Sequence, residues 1–124
     1  MPIQIAHLWG GESYSEGALG AFADAVAAHA PATKNLYFDV AEVALAVRDA
    51  ATLERIAAQM RRIGLSRILY ASDGPEFGNM PPKEAWEAFA KAMPLTPAEM
   101  ATIAKNVAPY LSGTAPAPTA HRRP

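Results

Sequence analysis

The sequence predicts an α/β fold made of three parallel β-then-α units in one domain. Three short apolar segments, IQIA, NLYFDV and RILYA, alternate with stretches whose apolar residues recur at helical spacing. A Gly pair follows the first segment, and Ser-Asp-Gly-Pro follows the third, both of which are typical of turns. Such alternation implies parallel strands, joined by right-handed crossovers, with the helices packed on the sheet.

The composition narrows the function classes. With 124 residues and a formal net charge of -1, the chain has no strongly basic stripe, so we expect no nucleic-acid partner. It contains no Cys, which excludes disulfides, iron–sulfur clusters, thiolate zinc sites and a cysteine nucleophile. Any metal must therefore be bound by His, Asp or Glu. No segment approaches the ~20 apolar residues that cross a bilayer, so we expect no membrane partner and a cytoplasmic location.

The first two units have recognisable element boundaries. A strand is predicted over residues 3–6, ending before His7, and a helix from Glu16 to about residue 28 with Ser15 as its cap. The second strand is predicted over residues 35–40, and residues 41–48 form a loop or an extra helical turn. Asp49 is a cap for the following helix, and Gly64 is expected to end it as a left-handed C-terminal cap.

The third unit contains the stretch RILYASDGP, residues 67–75, which is typical of a buried parallel strand with a carboxylate at its carboxyl end. A helix follows the next loop. Thr96-Pro97-Ala98-Glu99 is a capping box that starts a last helix, with its inner side formed by Met100, Ile103, Ala104 and Val107. Residues 112–124 are rich in Pro and Ala, which predicts a disordered tail.

Strand alternation indicates which side chains share a face. It places Ile3 and Ile5 with His7 on the first strand, and Leu69 with Asp73 on the third. We therefore expect His7 and Asp73 to end two inward-facing rows and to meet at the rim of the sheet, above an apolar inner face. Asp39 also lies near a strand end, but we interpret it as a residue that hydrogen bonds in its loop or caps the next helix, rather than as a catalytic residue.

Four motifs, IQIAHLWGG, NLYFDVAEVA, RILYASDGP and AKNVAPYL, occur in this order over nearly the whole chain to Leu111. In these motifs the chain resembles the carboxyl-terminal part of the amidohydrolase-related family, metal-dependent (β/α)8 TIM-type barrels that include hydrolases and decarboxylases. The resemblance implies that the three strands are the sixth to eighth of a barrel that is incomplete in this chain, with residues 1–111 forming that part.

The resemblance also implies a site. The family's His after the sixth strand falls on His7, as a catalytic acid/base or in the metal's shell, and its Asp after the eighth strand falls on Asp73, as a metal ligand and a base for bound water. The implied cofactor is a divalent metal, zinc or manganese, and the implied substrate is a small carbonyl or carboxylate molecule. Such a metal lowers the pKa of bound water and polarises a carbonyl. A neighbouring imidazole can transfer protons near neutral pH.

Two departures from the family pattern leave other hypotheses open. The chain has Ser-Asp-Gly-Pro where the family commonly has Ser-Asp-Tyr-Pro, and it lacks counterparts of the His-x-His and of the fourth- and fifth-strand ligands. A second hypothesis is therefore an inactive fragment or half-barrel, which forms a homodimer or joins a complementing chain through its open edges. A third is a small open α/β binding domain of flavodoxin or receiver type.

Overall fold

The computed structural model describes residues 1–11, 13–72, 81–108 and 111. It contains a parallel three-stranded sheet in the order β1-β2-β3, formed by β1 (Ile3–Ile5), β2 (Leu36–Asp39) and β3 (Ile68–Leu69). The predicted α/β class and parallel strands are therefore confirmed, although the strands are shorter than predicted. Asp73 and the predicted tail of residues 112–124 lie outside the described residues.

Helices follow each strand. They are α1 (Glu16–Ala27), α2 (Val43–Ala46), α3 (Ala50–Ile63), α4 (Pro82–Ala92) and α5 (Pro97–Lys105), with short 3-10 turns at Pro31–Thr33 and Leu65–Arg67. Residues 41–48 thus contain one extra helical turn, which was one of the two expectations for that stretch. In the part of the chain that the structure describes, no helix combines the length and the apolar character needed to cross a membrane.

Local capping explains where three helices begin. The side chains of Ser15 and Asp49 accept hydrogen bonds from backbone amides three residues further on, and Thr96 forms the predicted reciprocal capping box with Glu99. Gly64 ends α3 at a φ of 101°, a positive value that a residue with a Cβ rarely adopts. Its ψ of 120° differs from the left-handed helical cap that the sequence predicts.

The helices pack on one face of the sheet. Strand pairing aligns Ile5 with Phe38 and Phe38 with Ile68, so these side chains share a face. Phe38 is fully buried against Phe22 of α1, with ring centroids 5.5 Å apart, and Ile103 of α5 belongs to the same apolar core. The opposite face carries Gln4, Tyr37, Asp39 and Leu69, of which Asp39 and Leu69 are each only 5% exposed.

The structure corrects two sequence-based expectations, one about the sheet faces and one about the last helix. Ile5 and Leu69 lie on opposite faces, because Ile5 pairs with Phe38 whereas Leu69 pairs with the neighbouring Asp39. The predicted apolar inner face of Ile3, Ile5 and Leu69 was therefore wrong. Val107, predicted on the inner side of the last helix, lies beyond the end of α5 and is 56% exposed.

The contact between α3 and α5 makes stability sensitive to acid. Arg61 of α3 donates two hydrogen bonds to the Glu99 carboxylate, and this guanidinium, together with the Thr96 amide, lowers the pKa of Glu99 to about 2. A carboxyl whose pKa is depressed on folding stabilises the fold above its unfolded-state pKa and loses that contribution as pH falls. We expect Glu99→Gln to flatten the decline in thermal stability between about pH 4.5 and pH 2.

Glu87→Gln provides a matched control, because Glu87 is an exposed glutamate of α4 with no ion pair among the described residues. Thermal melts of the two variants and the wild type across this pH range measure the effect. An acid profile of Glu99→Gln that follows the wild type would show that the α3–α5 ion pair does not contribute to the pH dependence.

Candidate functional site

A buried carboxylate connects the carboxyl ends of β1 and β2. Asp39 is only 5% exposed, and its Oδ1 accepts hydrogen bonds from the backbone amides of His7 (3.0 Å) and Ala41 (3.1 Å), while Oδ2 accepts from Gln4 Nε2 (2.8 Å). Loop hydrogen bonding was one of the two predicted roles of Asp39 and is confirmed. Helix capping was the other, and it is absent, because α2 begins at Val43 without a side-chain cap.

His7 follows β1 by two residues and is held by the loop after β2. Its φ is 55°, in the left-handed region, so the alternation of the strand no longer determines where its side chain points. The ring Nδ1 lies 2.9 Å from the carbonyl oxygen of Ala41. Because a carbonyl only accepts hydrogen bonds, Nδ1 carries the proton, and in the neutral ring Nε2 has the free lone pair.

Glu42 faces that free nitrogen. Its Oε2 lies 3.6 Å from His7 Nε2, and the two side chains are 27% and 13% exposed. When the imidazole is protonated the two groups form an ion pair. Sequence reasoning missed Glu42, although it belongs to the quoted motif NLYFDVAEVA, because nothing in the spacing distinguishes it from a residue that simply starts a helical turn.

The backbone at both residues is strained. Glu42 has a φ of 60° and His7 a φ of 55°, and this conformation costs a non-glycine residue about 1 kcal/mol or more. A partly exposed ion pair contributes only about 0–1 kcal/mol. The His7–Glu42 ion pair therefore does not by itself offset the strain of the two residues that form it.

A cleft lies beside this pair, over the carboxyl ends of β2 and β3. Its interior volume is about 20 Å³, and its lining includes Val40, Glu42, Tyr70, Ser72 and Phe89. The Tyr70 hydroxyl donates to the Pro82 carbonyl, and burial raises the pKa of this tyrosine. Tyr70 is therefore anchored as part of the wall, whereas Glu42 is the acidic group of the lining.

The roles predicted for His7 and Asp73 stay predictions. The structure places His7 two residues after the carboxyl end of β1 and brings its ring to Glu42. Asp73 lies outside the described residues, so its meeting with His7 stays a prediction; Ser72, which precedes it in sequence, lines the same cleft as Glu42. Within the described ranges no cluster of three or more His, Asp or Glu side chains is placed to hold a metal ion.

Trp9, in the same loop as His7, packs rather than lining the cleft. It is buried, its ring meets Tyr14 edge-on at 5.0 Å, and its Nε1 has no hydrogen-bond partner in the described part of the chain. An unsatisfied buried donor costs about 1–3 kcal/mol, and this cost disappears when an apolar group replaces it.

We therefore expect Trp9→Phe to change the free energy of unfolding by less than about 1 kcal/mol, because the lost donor offsets the lost ring area. Phe89→Leu is the comparison, since it removes aromatic volume from the core without removing a polar group. Urea denaturation measures both variants. A loss in Trp9→Phe well above that of Phe89→Leu would mean that the indole N–H has a partner in solution.

Comparison of the chain with protein-family models, with curated proteins and with solved structures finds no match. The resemblance to the amidohydrolase-related family consequently depends on the four sequence motifs alone. Any functional conclusion has to be drawn from the residues at the carboxyl edge of the sheet.

Proposed function

We propose that the chain forms the carboxyl-terminal part of a metal-dependent amidohydrolase-like enzyme, a hydrolase or decarboxylase that acts on a small carbonyl or carboxylate substrate. His7 and Asp73 are the proposed catalytic and metal-binding residues, and the metal is zinc or manganese. The observation that carries the proposal is the His7 ring, whose Nδ1 is fixed on the Ala41 carbonyl and whose Nε2 is left free at the carboxyl edge of the sheet.

This arrangement fits a metal-binding or proton-transferring imidazole. A histidine that binds a metal through one nitrogen usually donates its other N–H to a carbonyl or carboxylate, which fixes the tautomer and the ring orientation. The carboxyl edge of a parallel sheet is also where α/β enzymes place their reacting groups. The chemistry of the donor set at this edge, imidazole and carboxylate without thiolate, is suited to zinc or manganese.

The one-sided packing of the helices supports the barrel part of the proposal. In a (β/α)8 barrel the helices lie on the outer face, and the inner face of each strand meets neighbouring strands. The described helices α1, α3 and α5 share one core with Phe38 and Ile68, and Tyr37 lies on the other face. An open flavodoxin-type domain has helices on both faces, so this packing favours the barrel over the open binding domain.

Each residue has a distinct part in the proposed chemistry. A metal held by His7 and Asp73 would lower the pKa of a bound water and would polarise the substrate carbonyl. His7 would use Nε2 either to transfer a proton or to bind the metal, while the Ala41 carbonyl holds its ring and Asp39 holds the backbone of His7 and Ala41. Asp73 is the proposed metal ligand and the base for the water.

Metal-dependent turnover by the full chain tests the proposal. Small amides, lactones and keto acids are incubated with the chain and zinc or manganese, and we expect His7→Ala and Asp73→Ala each to lower the rate about 100-fold or more. His29→Ala is the control, since His29 is exposed and remote from the cleft. Full metal-dependent activity in Asp73→Ala would contradict the assignment of Asp73.

We infer a second candidate, association with a second copy or a complementing chain, from the sheet edges. In the described part of the chain, β1 and β3 are both edge strands, and Ile3, at one edge, is 52% exposed. Unpaired edges and exposed apolar side chains favour pairing with another chain. Light scattering across a hundredfold range of concentration tests this, and a monomer at every concentration would contradict self-association.

A further inference from the structure

A basic pocket lies at the amino ends of β2 and β3, the opposite end of these strands from the cleft. Its interior volume is about 340 Å³, which is typical of pockets that bind small molecules. The lining includes Thr33 and Lys34, which precede β2, and Arg67, which directly precedes β3. No Asp or Glu belongs to the described lining, so no carboxylate there neutralises the two cations.

Arg67 is fixed in this pocket through one nitrogen. Its Nη1 donates hydrogen bonds to the carbonyl oxygens of Thr33 (2.6 Å) and Leu36 (2.9 Å), which use both protons of that nitrogen. The remaining N–H donors, on Nε and Nη2, have no hydrogen-bond partner in the described part of the chain. The half-buried guanidinium is therefore held in place with one edge left for a ligand.

The free edge of Arg67 has the geometry that an oxyanion requires. Nε and Nη2 lie side by side in the guanidinium plane, on the side opposite Nη1, and this pair of donors can bind two oxygens of one carboxylate or phosphate. Because Nη1 already holds the group on the backbone, a ligand immobilises little further side-chain freedom when it binds.

The charges of Lys34 and Arg67 are not paired within the described ranges. The three arginines of α3 each form an ion pair with a carboxylate of another helix, whereas Lys34 and Arg67 form none with any described residue. A phosphate monoester carries a charge of about −1.5 to −2 at pH 7, and a carboxylate carries only one negative charge. Two unpaired cations at one pocket thus match a phosphate better than a carboxylate.

We propose that the pocket of Lys34 and Arg67 binds the phosphate group of a small ligand, either inorganic phosphate or a phosphate monoester. Arg67 donates to two phosphate oxygens through Nε and Nη2, and the exposed Lys34 contributes the second positive charge. Pro31, also in the lining, offers an apolar surface to the organic part of a monoester. The groups proposed for catalysis lie at the carboxyl edge of the sheet, so the phosphate site does not depend on the proposed function.

NMR titration of the isotope-labelled full chain with inorganic phosphate tests the proposal, at about pH 7 and low ionic strength. We expect saturable shifts of the Arg67 Nε–H signal and of the Lys34 amide. Arg67→Lys, which keeps the charge and loses the paired donors, should weaken phosphate binding at least about tenfold. Lys34→Gln should weaken it about threefold, since exposed ion pairs contribute little. A wild type without saturable phosphate binding overturns the proposal.

Two variants are matched controls for the change in charge. Lys91→Gln removes an exposed lysine of α4, and Arg48→Gln removes an exposed arginine that lines a different pocket. Both should bind phosphate like the wild type, and an equal loss in either would overturn the proposal, because binding would then follow only the net charge. Unchanged affinity in Arg67→Lys also overturns it. If circular dichroism shows that Arg67→Lys does not fold, unchanged affinity in Lys34→Gln has the same consequence.

The choice of ligand identifies the source of the phosphate. Tighter binding of phenyl phosphate than of inorganic phosphate assigns the site to a phosphate monoester, and equal binding of the two assigns it to inorganic phosphate; both results support a phosphate site. Acetate should bind more weakly than either, because it carries less charge. Binding of acetate as tight as that of phosphate overturns the assignment to a doubly charged ligand.

Discussion

Asp39→Ala is expected to lower the free energy of unfolding by about 4.5 kcal/mol or more, since each of its hydrogen bonds to a charged group contributes about 1.5–3 kcal/mol. The substitution removes three such bonds and leaves the backbone amides of His7 and Ala41 without their acceptor. Stabilities of small domains are about 5–15 kcal/mol, so a large part of the total depends on this carboxylate. Urea denaturation at neutral pH measures the change.

Asp49→Ala is the matched control, because it removes an exposed aspartate that caps α3 and should cost about 1 kcal/mol. Asp39→Asn keeps the shape and retains an oxygen for the two backbone amides, so it should be less damaging than Asp39→Ala. If Asp39→Ala costs no more than Asp49→Ala, the carboxylate does not link the two loops in solution.

The helices could be predicted closely because their signals are local. Ser15, Asp49 and the Thr96–Glu99 box each satisfy backbone amides within the first turn, so the sequence itself contains both partners. Apolar spacing then identifies which side of each helix is buried, as it does for Ile103. Val107 is the exception, since α5 ends before the periodic pattern does.

The sequence predicts which side chains share a face within one strand, but not which faces of different strands lie on the same side of the sheet. Alternation correctly separates Ile5 from Gln4, but it contains no information on which face of β1 aligns with which face of β3. The third strand is apolar on both sides, so Leu69 could be placed on either face from sequence. The pairing of Asp39 with Leu69 decides the question, and it is a long-range property.

The sequence predicts where in the fold the candidate site lies, but it does not predict which side chains contact each other there. His7 could be placed at the strand end, and Asp39 could be interpreted as a residue that holds its loop. The facing of His7 and Glu42 depends on two left-handed backbone conformations in different loops, and that conformation is uncommon for any residue with a Cβ. The backbone conformation at these two positions therefore cannot be predicted from the residue types alone.

Phe38→Ala is expected to lower the free energy of unfolding by about 4 kcal/mol, because it deletes a fully buried ring at the centre of the sheet and leaves a cavity against Phe22. Tyr37→Ala, one residue earlier, removes a half-buried ring from the face opposite Phe38 and should cost the isolated chain about 1 kcal/mol. Urea denaturation of both variants tests the register of the sheet, and equal losses would contradict it.

Measuring both variants at two protein concentrations also tests whether the chain self-associates through the face of Tyr37. A partner that covers the face of Tyr37 binds only the folded chain, so it stabilises the fold increasingly as concentration rises. Under self-association, the loss in Tyr37→Ala should therefore grow between two concentrations a hundredfold apart, whereas the loss from the cavity at Phe38 should change little. A constant Tyr37 effect would mean that a second copy does not cover this face and would contradict self-association through it.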